Sequence, residues 1–133
     1  MHRFIISTAT LCVLILAVTF AWAATKAPES LTLSPPETIK ATKTFVTFPH
    51  AKHEAAKLEC ATCHHTWDGK SEIKNCSTAG CHDQPGKKGE TAYYTAFHAK
   101  KTDSSCLGCH KTMKKQGRKN VPVSCKQCHP KKK

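Results

Sequence analysis

The sequence has little of what builds an ordinary protein core. After the first 23 residues it holds only twelve Leu, Ile, Val and Phe residues, about 11% of the remaining 110. A bare polypeptide below about 20%, with a high net charge, is expected to stay disordered. Acidic residues are also scarce: 9 Asp and Glu stand against 21 Lys and Arg, a formal charge of +12. Methionine is nearly absent, Met113 being the only one after Met1. Long apolar runs are missing except at the N-terminus. Cysteine and histidine are plentiful, at nine each. Something other than side chains must therefore supply the core.

The N-terminal run, Phe4 to Phe20, follows the positive start His2-Arg3 and precedes the small-x-small site Ala21-Trp22-Ala23. Residues 1–23 read as a secretory signal peptide cut after Ala23. The run is short for a membrane anchor. Cys12 follows Leu11, where a lipoprotein would want a small residue. Export makes nucleic acid a poor partner for the basic charge; an anionic membrane or acidic protein suits it better.

Residues 24–43, with Pro28, Pro35 and Pro36, read as an irregular N-terminal arm. Residues 44–133 read as one domain. Thr44–Phe48 has the β-branched and aromatic content of a short strand, and His50–Cys60 is rich in helix formers. Trp67–Lys70 is a turn and Gln84–Gly89 a loop. Thr91 would cap a helix through Lys101. Asp103 or Ser104 would cap another through Gln116, stopped by Gly117. Asn120–Val123 is extended, and Lys131–Lys133 form a basic tail.

One feature recurs four times. Cys60-Ala61-Thr62-Cys63-His64, Cys106-Leu107-Gly108-Cys109-His110 and Cys125-Lys126-Gln127-Cys128-His129 are C-x-x-C-H. Cys76-Ser77-Thr78-Ala79-Gly80-Cys81-His82 has two extra residues between its cysteines. C-x-x-C-H is the attachment pattern of a c-type haem. Cysteines three apart share a helical face, and the histidine four after the first can sit under the iron. Gly80 would let the two extra residues bulge out. A lone C-x-x-C more often marks zinc or a redox dithiol, and eight cysteines in an exported chain would suit a disulfide framework. Neither explains a histidine after every cysteine pair.

The histidines count out the same way. Four are proximal: His64, His82, His110 and His129. Four remain for the opposite axial positions: His50, His53, His65 and His98. Adjacent residues diverge by about 100° on a helix, so His64 and His65 cannot grip one iron. His50 and His53 share a helical face, and spacing alone would permit one metal between them; the haem count favours two irons. Histidine on both sides lowers the potential relative to Met/His ligation. It also leaves no open iron position, which argues against an enzyme; the alternative is a multihaem reductase of metal ions or other small acceptors.

These residues resemble the class III cytochromes c, the tetrahaem cytochrome c3 family of sulfate-reducing bacteria. The likeness rests on F-x-H-x-x-H at Phe48–His53, C-H-H at Cys63–His65, the longer second motif, and Tyr93-Tyr94 with His98 before the third. It implies four covalent haem c groups in a compact, mainly α fold with long loops and a small N-terminal β element. It implies that His50 completes the first haem, His65 the second, His53 the third and His98 the fourth, with Phe48 packed between haems. It implies a periplasmic electron carrier of sulfate respiration, passing electrons between hydrogenase and membrane-associated multihaem cytochromes. A monomer is expected. Lys100, Lys101, Lys111, Lys114, Lys115, Arg118, Lys119 and Lys126 would form the docking patch near the fourth haem. The fourth motif departs from the best-known members, which often have four residues between its cysteines where Cys125 and Cys128 have two. Ionised haem propionates would offset much of the lysine excess.

Overall fold

The computed structural model describes residues 27–131. The expected signal peptide and Cys12 lie outside them. Among the described residues, two strands and five helices follow in order: β1 Leu31–Leu33, β2 Val46–Phe48, α1 His50–Ala55, α2 Cys60–Cys63, α3 Tyr93–His98, α4 Cys106–Lys115 and α5 Cys125–Cys128. Short helices, long loops and one small sheet form the mainly α architecture that the fold reading anticipated.

The strands pair antiparallel, with Leu31 opposite Phe48 and Leu33 opposite Val46. Strand β1 lies in the stretch read as irregular, so the arm is not wholly irregular. Its prolines flank the strand and leave Leu31-Thr32-Leu33 free to pair. The Ala51 amide adds a bond to the Glu29 carbonyl (3.0 Å), fixing α1 to the arm.

Among the described residues, only Ala92, Ser105 and Gly108 are buried. No large side chain is fully enclosed. Packing of the chain's own side chains therefore supplies almost no core.

Helix α4 is the longest of the described elements, and both its ends are well made. Its N-cap is Ser105, whose hydroxyl accepts from the Gly108 amide (3.1 Å). Asp103 and Ser104 precede the cap, and Asp103 instead accepts from the Thr112 hydroxyl (2.9 Å). At the C-terminus, the Gly117 amide bonds to the Lys114 carbonyl and the Arg118 amide to the Met113 carbonyl, both at 3.1 Å. With Gly117 at φ 83° this is a Schellman ending. Helix α3 starts at Tyr93 with Ala92, not Thr91, at its N-cap. The Thr91 carbonyl is engaged by the Gln84 amide (3.1 Å), which holds that residue in the preceding loop. The short α5 carries a capping box between Ser124 and Gln127.

Candidate functional site

Three cysteine motifs lie on helices α2, α4 and α5. In the first and fourth, the histidine amide bonds to the first cysteine's carbonyl, His64 to Cys60 at 2.9 Å and His129 to Cys125 at 2.7 Å. The motif between Cys76 and His82 is not helical, yet it makes the same closure: the His82 amide reaches the Cys76 carbonyl at 3.0 Å. The two extra residues are looped out. Gly80 takes φ 81°, and its amide is held by Asp83 Oδ2 (3.0 Å). A left-handed residue here is what glycine permits and a β-carbon resists.

The imidazoles form facing pairs. His53 and His110 have ring centroids 6.1 Å apart, inclined 22°. His98 and His129 are 6.1 Å apart, inclined 9°. His65 and His82 are 5.8 Å apart, inclined 54°. Two metal–nitrogen bonds of about 2 Å on opposite sides of one ion, with a half-ring beyond each, give about 6 Å between centroids. His50 and His64 are linked electrostatically. Burial lowers the His64 pKa, a backbone hydrogen bond to Lys74 opposes this, and His50 and then His65 lower it further. Phe48 packs against both His50 (5.8 Å) and His53 (4.5 Å), separating the two.

Backbone carbonyls orient the rings. His53 Nδ1 donates to Pro49 (3.0 Å), His98 Nδ1 to Tyr94 (3.0 Å), His110 Nδ1 to Pro122 (2.8 Å) and His129 Nδ1 to Thr44 (2.7 Å). A carbonyl can only accept, so in each case the proton sits on Nδ1 and Nε2 keeps its lone pair for a metal. These acceptors are main-chain atoms, with no sequence signature of their own. Only Pro49–His53 and Tyr94–His98 hint at themselves, each carbonyl lying four residues before its histidine. The buried Nδ1 atoms of His50 and His82 have no hydrogen-bond partner.

Electrostatics favours the neutral form of His64, His98 and His110. Burial lowers the pKa of His98, opposed by the Tyr94 carbonyl and reinforced by His129. Burial lowers His110 as well, opposed by Pro122 and reinforced by His53. The thiols move the other way. Burial raises Cys63, Cys76, Cys109 and Cys128, and pushes Cys106 up to about 12. Raised thiols are poor thiolates. All eight described cysteines are unpaired. No three His, Cys, Asp or Glu side chains among the described residues converge to hold a bare metal ion. Three facing imidazole pairs beside paired cysteines, in a chain that buries almost none of its side chains, fit covalent c-type haem. At the last motif an open cleft of about 450 Å³ is lined by Cys125, His129, Lys43, Lys126 and Lys131 among others.

Known proteins resemble this chain in sequence and fold. The chain is 48% identical over 110 residues to a cytochrome c3 of Maridesulfovibrio salexigens, covering 80% of this chain and 98% of that one. It is 44% identical over 106 residues to a cytochrome c3 of Desulfovibrio desulfuricans, covering 79% and 97%. Its fold matches the di-tetraheme cytochrome c3 of Desulfovibrio gigas with a TM-score of 0.66 at 32% identity, over 79% of this chain and 98% of that one. Residues 24–129 match the class III cytochrome c family. That span takes in the arm, all four cysteine motifs and every paired histidine, and the chain belongs to the class III cytochrome c family.

Proposed function

We propose that the protein is a periplasmic, low-potential electron carrier with four covalent, bis-histidine haems. The thioether pairs are Cys60/Cys63, Cys76/Cys81, Cys106/Cys109 and Cys125/Cys128. His64 with His50, His82 with His65, His110 with His53 and His129 with His98 would hold the four irons. The carrying observation is the set of facing imidazoles about 6 Å apart. When bound, haem c supplies one-electron iron chemistry. The chain's part is to hold, orient and shield. Carbonyl-anchored Nδ1 atoms fix the ring planes, and two histidines per iron leave no position for a substrate.

The test is intact mass of the exported protein with an iron assay and the spin state of the oxidised form. Four haems, no residue before Ala24 and wholly low-spin iron are expected. High-spin iron in the native oxidised protein would overturn bis-histidine ligation and favour a reductase.

The partners proposed are hydrogenase and membrane-associated multihaem cytochromes. Seven of the eight expected patch residues are exposed and Lys111 is half-buried. Lys43 and Lys131 add to them at the cleft beside Cys125 and His129. An acidic partner surface would steer to this patch, and salt would weaken the encounter. Hydrogenase binding that stayed constant from low to high salt would overturn the docking proposal.

A further inference from the structure

The third cysteine motif holds the histidine that faces the fourth. His98 is the last residue of α3, and Ala99 leaves the helix at ψ 129°. Six residues later Ser105 caps the start of α4. The Ser105 hydroxyl donates to the Ala99 carbonyl while accepting from the Gly108 amide. One oxygen thereby joins the end of α3 to the start of α4. Ser105 is 3% exposed, so water does not compete for either bond.

Gly108 closes the same joint. A β-carbon there would collide with the Thr102 carbonyl and approach the Ala99 carbonyl to 2.8 Å and Ser105 Oγ to 2.9 Å. These are backbone atoms and a capping hydroxyl, which cannot swing aside. Glycine inside Cys106-Leu107-Gly108-Cys109-His110 lets the α3–α4 turn lie directly on α4. Yet the His98 ring at the end of that turn faces His129, 6.1 Å away, and not His110.

We propose that Ser105 is a positioning residue for His98, so that the third attachment helix sets the distal ligand of the fourth haem. This rests on the ligand pairing proposed above. In a serine-to-alanine change the hydroxyl is lost from both bonds. Ser105→Asp keeps an acceptor for Gly108 but has no proton for Ala99, which separates helix capping from the tether. Ser105→Thr keeps both.

The experiment uses the four-haem protein and reads the paramagnetically shifted NMR resonances of each haem, together with its individual reduction potential. In the native protein, His98 and His129 resonances on one haem check the pairing independently; their separation would sink the pairing before the tether is tested. With the pairing intact, Ser105→Ala and Ser105→Asp should shift the resonances and potential of the haem at Cys125–His129, and Ser105→Thr should restore them. Unchanged fourth-haem signals in Ser105→Ala and Ser105→Asp would overturn the proposal. So would equal shifts at all four haems, which would show general loosening. Failure of both variants to carry four haems would overturn it too, because a tether to one distal ligand should not block attachment.

Discussion

The second and third attachment sites reach one result from opposite scaffolds. The third lies at the start of a ten-residue helix with a serine cap and a Schellman end. The second has no helix. It relies on Gly80 at φ 81°, on Asp83 holding the Gly80 amide, and on Asn75 accepting from the Ser77 amide (3.0 Å). Both still bring a histidine next to a cysteine pair and opposite a distant imidazole. What the chemistry needs is therefore closure of the histidine onto the first cysteine, and a helix is one means of achieving it. The helical version is held by cooperative backbone bonds, whereas the loop depends on a few separate contacts.

The largest expected effect comes from removing the imidazole that faces each site. Both are donated by one short stretch of chain, since His53 faces His110 and His65 faces His82. His53→Ala should make the iron at Cys106–His110 high-spin, and His65→Ala the iron at Cys76–His82. Each variant should lose one low-spin signal in four, with the Cys60–His64 haem unchanged. If both variants alter only that first haem, as seen by electron paramagnetic resonance and NMR, the cross-pairing is wrong. The two should also differ, with the loop site broadening more than the helical one.

Backbone strain comes next. Gly80 and Gly117 both have positive φ and nothing within 4 Å of a built β-carbon. Alanine at either position should cost about 1–2 kcal/mol of left-handed strain, read as a shift in the denaturation midpoint. Only Gly80→Ala should also reduce haem occupancy at Cys76–Cys81, because Gly80 sits inside the closure. Equal occupancy in the two variants would show that the loop absorbs strain as well as the helix does.

A smaller, stabilising effect is expected at the end of α1. The Lys57 amide bonds to the Glu54 carbonyl (2.8 Å) and the Leu58 amide reaches the His53 carbonyl (3.5 Å), the pattern that ends α4. Here the left-handed position is Lys57, at φ 56°. Lys57→Gly should raise stability by up to about 1 kcal/mol, and Gly117→Lys should lower it by a similar amount. A neutral or destabilising Lys57→Gly would mean that the lysine side chain makes a compensating contact.

Much of the site was legible because covalent attachment imposes a linear pattern. The cysteine motifs, the count of distal histidines and the need for glycine at position 80 are all local statements. The boundaries of the fold were less legible. Strand β1 forms because Leu31-Thr32-Leu33 finds Val46–Phe48, a partner more than ten residues away, amid proline-rich sequence. Ser105 takes the cap that the sequence pattern assigns to Asp103 or Ser104, because its hydroxyl also reaches Ala99. The carbonyls of Thr44 and Pro122 that orient His129 and His110 lie 85 and 12 residues away in sequence. Main-chain acceptors of that kind become visible only once the chain is folded.

The mildest test separates the regions by acid. The loop side between the first two sites contains a turn built on a carboxylate. Asp68 accepts from the amides of Lys70 (2.9 Å) and Ser71 (2.8 Å) and from the Ser71 hydroxyl (2.8 Å). These bonds, led by the Ser71 amide, hold the Asp68 pKa down at about 2. The helix side is capped by neutral hydroxyls, Ser105 and Ser124. An unfolded aspartate titrates near 3.9, so Asp68 stabilises the turn fully above about pH 4. That contribution fades as pH falls and is gone below about pH 2. Amide exchange should then accelerate at Ser71 while Gly108 stays protected, and the Trp67 indole, bonded to the Ser71 carbonyl at 2.7 Å, should report the same loosening. Asp68→Asn should remove the acid dependence at Ser71 and leave Gly108 untouched. Simultaneous exposure of Ser71 and Gly108 across this range would show that the loop and helical regions open as one unit, removing the distinction between them.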